Sequence, residues 1–196
     1  MLDVSTFDWV GILGGLTSFL VVFYVQGRQR IIKSRGTQIS TIACALLVAY
    51  IWAPFGFPNS EWARAPLGTD VVRIIPFIQF DPALLKTAWL PMQVLIGGTT
   101  YFLAALALYG DARRALFAVI GIMAVGLEAS QAASNLLSGL IPPYRVDIHD
   151  ILTRALGAFF AFLLMKGAAT VWRWRVGVRS RQYGIIGFLD SVVRRI

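Results

Sequence analysis

The chain has 196 residues, a length that suits one domain, but 57% of them are hydrophobic and only 14% are charged; with a mean hydropathy of +0.69, that excludes an ordinary soluble globule. The balance of 18 Lys and Arg against 10 Asp and Glu gives a net charge of +8, yet the cations sit in short segments flanking apolar runs, which sets topology in a membrane and excludes a basic nucleic-acid surface. Cys44 is the single cysteine and lies in an apolar run, so an internal disulfide, a Cys-ligated metal cluster and a CxxC redox site are excluded too.

In chain order, Met1 to Asp8 carries Asp3 and Asp8 but no Lys or Arg. A cleaved secretory signal needs a basic start ahead of its apolar core, so the first segment is expected to stay and span. A span takes about 20 mostly apolar residues to cross about 30 Å of hydrocarbon. Five stretches qualify: Trp9 to Val25, Ile39 to Phe57, Thr87 to Tyr109, Ala115 to Leu137 and Ile151 to Trp172. Gly11 and Gly15 form a GxxxG step in the first, the spacing of ordinary close helix packing.

The first connection holds Arg28, Arg30, Lys33 and Arg35 without an acid, and Arg113, Arg114 and the arginine-rich tail follow on the same side if the spans alternate. That side is then cytoplasmic, with the N-terminus outside and the C-terminus inside. Residues 1–172 read as a single transmembrane helical domain and 173–196 as a basic tail. Within the tail, Trp172-Arg173-Trp174-Arg175 suits headgroup-level anchoring. Gly184 to Ile196 repeats apolar residues at helical spacing opposite Asp190 and Arg194, and is too short to span. It is expected to lie as an amphipathic helix in the inner interface or to dock on a partner. The fold class is therefore all-α: a polytopic membrane bundle of about five transmembrane helices plus a C-terminal interfacial helix.

The chemistry concentrates on the outer side. Glu128 lies deep in the fourth span with Gln131 and Asn135 on the same helical face, and the fifth span begins with Asp150 and Arg154 four residues apart, the acid first. Ionisable groups in a bilayer are costly unless paired or wetted, so such a cluster marks a functional site by default. The short connection makes the two spans antiparallel neighbours. Arg154 is expected to be the buried partner of Glu128, with Asp150 and Arg145 completing the network, and Gly157 leaves room for a neighbour's close approach. Asp147, His149 and Asp150 offer oxygen and imidazole groups, but no second histidine and no metal-ligand spacing accompanies them, so no metal or cofactor is expected. His149 is expected to be a solvated neighbour of the cluster. The apolar stretch Val71 to Phe80 in the proline-containing outer loop should fold back onto the bundle or dip into the bilayer as a cap, with Ile75 and Phe77 packing, Arg73 turned toward the acids, and Pro76 and Phe77 as further candidates at the ligand site.

Three patches of this outer cluster resemble the VanZ-like family of small bacterial membrane proteins, named after a teicoplanin-resistance factor. Arg73-Ile74-Ile75-Pro76-Phe77 is similar to the family's N-L-I-P-F element, Glu128-Ala129-Ser130-Gln131 to its E-x-x-Q, and Arg145 through Asp150 into Gly157 to its R…D…N-x-x-G ending. The likeness covers about residues 71–164; it departs where Arg154 replaces the family's Asn and where the stretch from Gln131 to Arg145 is longer. The resemblance implies a bacterial cytoplasmic-membrane protein linked in some members to reduced glycopeptide sensitivity, and it implies no reaction.

The function expected is non-enzymatic: binding of a lipid headgroup, a lipid-linked wall intermediate or a membrane protein partner, with Arg73, Arg145 and Arg154 suited to bidentate phosphate contact. A membrane enzyme with Glu128 or His149 as general base stays open, as do a proton-coupled transporter and an accessory subunit of a larger complex. Nucleic acid is not an expected partner.

Overall fold

The computed structural model describes residues 35–55, 72–73, 89–138, 146–176 and 184–196, with isolated positions 16, 17, 20 and 24, and among these the backbone alone at 53–55, 72–73, 89, 133–138, 176 and 184. The helices are α1 (Arg35–Phe55), α2 (Trp89–Ala107), α3 (Ala112–Val119), α4 (Leu127–Ser138), α5 (Ile148–Val176) and α6 (Gly184–Val193). A π-helical segment, Ile120–Gly126, joins α3 to α4 without a break. Two short strands, β1 (Val72–Arg73) and β2 (Val146–Asp147), pair in parallel.

Among the described residues three helical stretches are long and apolar enough to cross a membrane: Leu90–Ala107, Ala112–Ala132 and Ile148–Arg175. They correspond to the third, fourth and fifth apolar runs. The first run, with Gly11 and Gly15, lies almost wholly outside the described residues. The helices overrun the apolar stretches at several ends. Hydropathy marks where apolar side chains start, whereas backbone hydrogen bonding carries on into polar flanks; thus α1 starts at Arg35 and α5 runs from Ile148 to Val176. Pro91 sits in the first turn of α2, where its missing N–H costs nothing.

The surface is apolar and much of the interior is small or polar. Ile39, Leu46, Leu95, Phe117, Phe160, Leu164 and Val171 are exposed, while Thr37, Ser40, Thr41, Gln93, Thr100, Glu128, Gln131 and Arg154 are buried. That inversion suits lipid as the surrounding solvent. Two buried hydroxyls are satisfied inside their own helices, Thr41 donating to the Thr37 carbonyl at 2.8 Å and Thr100 to that of Ile96 at 2.8 Å. The core is built around Tyr101, Met123 and Leu127 with the small buried residues Ala104, Ala105, Ala115 and Ala158.

The principal neighbour of α5 is α2. A Cβ at Gly97 would collide with the Arg154 carbonyl, and one at Gly157 would collide with that of Val94. The room that Gly157 leaves is therefore filled by the third run, with the π segment on another side. At the far end, α2 closes in a Schellman turn: the Tyr109 amide donates to Leu106 at 3.1 Å and the Gly110 amide to Ala105 at 2.8 Å. Tyr109 and Gly110 both take left-handed backbone, φ 53° and 84°, and Asp111 then caps α3 by accepting from the Arg114 amide at 3.2 Å.

The C-terminal helix α6 forms, but its polar side is not turned away from the protein. Asp190 is buried, accepting from Trp172 Nε1 at 2.9 Å and from Arg194 Nε at 2.8 Å, whereas Ile185 is 79% exposed. Phe188 stacks obliquely on Tyr109, 6.1 Å between ring centres, and its ring lies where a Cβ on Gly36 would be. A bonded polar anchor inside outweighs simple apolar burial when the protein offers a donor and the surroundings are apolar. Trp172 is accordingly held by the protein, while Trp174 is exposed, as an interfacial anchor requires.

Candidate functional site

The polar cluster forms where the π segment and α4 face the first turns of α5, with α2 behind. Four elements meet at Arg154, which is 1% exposed. Its Nε donates to Gln93 Oε1 at 2.6 Å. Its Nη1 donates to Glu128 Oε1 at 2.9 Å and to the Met123 carbonyl at 3.4 Å, and Nη2 donates to Asp150 Oδ2 at 3.1 Å. Thus four of the guanidinium's donor directions are used by protein groups. The Met123 carbonyl belongs to the π segment, whose turns are wider than those of an α-helix.

Glu128 is 2% exposed and its second oxygen accepts from the Asp147 amide at 3.0 Å. Asp147 in turn accepts from the His149 amide at 2.9 Å and lies 2.6 Å from His149 Nδ1 through the same oxygen. The carboxylate of Asp147 thereby closes the turn into α5 and orients the imidazole. Thr153 donates to the His149 carbonyl at 2.7 Å, continuing the polar seam along α5. Asp150, with 18% of its side chain exposed, is the outermost carboxylate of the network.

Of the residues singled out from the sequence, Glu128, Asp147, His149, Asp150 and Arg154 are brought together, and Gln131 is buried one turn from Glu128. Two expectations change. His149 is not solvated: it is 5% exposed and bonded to Asp147 in β2, which pairs with residues 72–73. Arg154 is not open to a phosphate, since its donors are already taken by Gln93, Glu128, Asp150 and Met123. Asn135 lies on α4 and Arg73 in β1, both described by backbone alone; Arg73 stands in register with Asp147. Arg145, Pro76 and Phe77 lie outside the described residues.

Gln93 is the participant that sequence reasoning missed. The available signal was a lone amide in the apolar third run, Trp89 to Ile96; the helix facing Arg154 decides whether such a group matters. Among the described residues no group of three or more His, Cys, Asp and Glu could hold a metal ion. The sequence matches no family model, no curated protein and no solved structure.

Proposed function

We propose that this chain is a VanZ-like protein of the bacterial cytoplasmic membrane, with five spans, the N-terminus outside, and α6 in the inner interface. In this reading it binds a phosphate-bearing lipid headgroup or lipid-linked wall intermediate at its outer rim without catalysing a reaction. The observation that carries it is the bonded Arg154: a buried guanidinium spanning two carboxylates and an amide is a rigid, charged base inside an apolar bundle. Ion pairs so placed contribute little net stability for what they cost in desolvation, which favours positioning as their role. Arg73, held in register with Asp147, and Arg145, one residue before β2, supply the cations for the ligand above that base. A role in glycopeptide sensitivity would follow from ligand identity.

The test is mass spectrometry of lipids retained by the protein in mild detergent. Enrichment of a phosphate-bearing lipid over its bulk abundance, lost in Arg73→Gln/Arg145→Gln and kept in His149→Gln, supports the reading; no enrichment, or retention in the arginine variant, removes it. A second reading rests on the Asp147–His149 contact, which is the arrangement that orients an imidazole as general base. Turnover of polyprenyl phosphates or phospholipids that His149→Gln abolishes would choose the enzyme.

A further inference from the structure

At the end of the bundle away from Glu128 and Arg154, the turn after α2, the middle of α5 and the chain beyond α6 border an open cavity of about 890 Å³, with Arg113, Lys166 and Arg195 exposed around it. Lys166 lies about 18 Å along α5 from Arg154, at a rise of about 1.5 Å per residue, so this is a separate place. Its lining carries Arg113, Arg114, Lys166 and Arg195 against one side-chain carboxylate, Asp111. Asp111 is occupied: it pairs with Arg114 at 3.3 Å and caps α3. Among the described residues Arg113, Lys166 and Arg195 make no ion pair. Lys166 instead stands 5.0 Å from the Phe162 ring and Arg195 4.4 Å from that of Tyr109.

The cations are not merely a line at a helix end. They come from three separated segments that converge on one concavity, and the convergence is built. Tyr109 adopts a left-handed conformation that costs a non-glycine residue about 1 kcal/mol. Its ring is thereby placed between Phe188 and Arg195. A side chain at Gly110 would collide with the Val192 carbonyl and the Arg195 Cβ, so close docking of the C-terminal segment depends on that glycine. Asp190, bonded to Trp172 and Arg194, fixes the same segment from the other side.

We propose that this cavity binds the phosphate of an anionic phospholipid headgroup, with Arg113, Lys166 and Arg195 as its cations and the exposed apolar faces of α5 and α6 beside the acyl chains. Basic pockets between membrane helices on the cytoplasmic side take such headgroups, and each cation near the surface contributes about 1 kcal/mol. The site is independent of the outer cluster and of what that cluster binds.

Native mass spectrometry of the full chain in detergent, titrated with phosphatidylglycerol and with phosphatidylcholine of the same acyl chains, tests it. The wild type should retain phosphatidylglycerol preferentially, and Arg113→Gln/Lys166→Gln should weaken that binding about thirtyfold. Arg173→Gln/Arg175→Gln, on the same end of α5 but outside the cavity, should leave it unchanged. Lys166→Arg keeps the charge and should keep the lipid, which guards against misfolding of the double variant. Equal retention of the two lipids, equal loss in the Arg173/Arg175 variant, loss in Lys166→Arg, or displacement by equimolar inorganic phosphate would each overturn the proposal, the last by assigning the cavity to a free anion.

Discussion

Replacing Arg154 by methionine removes a guanidinium but keeps an unbranched side chain of similar reach, so the change isolates charge and hydrogen bonding from volume. In the wild type that group bonds Gln93 at 2.6 Å, Glu128 at 2.9 Å and Asp150 at 3.1 Å. After substitution Glu128, 2% exposed, keeps only the Asp147 amide, and Gln93 loses an acceptor contact in the core. Asp150 is less affected because 18% of its side chain reaches the surface. Breaking a buried pair by deleting one partner costs about 3–5 kcal/mol. Glu128→Gln/Arg154→Met removes both charges, and most of the loss should return, leaving about 1–2 kcal/mol for the hydrogen bonds to Gln93 and the Asp147 amide. Equilibrium unfolding in mixed dodecylmaltoside and SDS micelles, followed by tryptophan fluorescence, measures both. A single variant within about 1 kcal/mol of wild type, or a double variant no more stable than the single, would refute the argument that the network holds an obligatory ion pair.

Gly97→Ala and Gly157→Ala each place a methyl group against a facing carbonyl, and either should cost about 1–3 kcal/mol or more in the same assay, whereas Gly167→Ala, with nothing within 4 Å of the added atom, should be neutral or slightly stabilising. The hydrogen bond from Arg194, with that from Trp172, holds Asp190 below the usual carboxylate range. A lowered folded pKa contributes stability in full above the unfolded value of about 3.9 and loses it as pH falls through the folded one. Hydrogen exchange of α6 amides should therefore be pH-independent in protection from neutrality to about pH 5, deprotect below about pH 4, and lose that acid transition in Asp190→Asn; an unchanged transition in the variant would assign it elsewhere.

What could be seen in the sequence was local. Spacing on one helix put Asp150 before Arg154 and Glu128 before Gln131, and apolar length located the helices among the described residues to within a few positions. Packing partners were not visible, since Gly157 announces a close neighbour but not whose backbone arrives. It proved to be that of Val94 on α2, and the same contact carries Gln93 to Arg154. The hold on His149 runs through Asp147, whose strand pairs with residues 72–73, and the two strands are far apart in the chain and too short to show a strand pattern. The inward turn of Asp190 depends on Trp172, eighteen residues earlier. Neither relation leaves a periodicity to read.

The wide coil of Ile120–Gly126 ends two positions before Glu128. Each residue in an α-helix advances about 100° around the axis, so one position more or fewer in that coil swings everything after it by more than a quarter turn. The aim of the carboxylate is thus a matter of counting: losing one residue between Val119 and Leu127 would leave a smoother rod whose acid faces a different neighbour, with Arg154 left only Gln93 and Asp150 as side-chain partners. An insertion or deletion there would do more harm than most exchanges of one side chain for another.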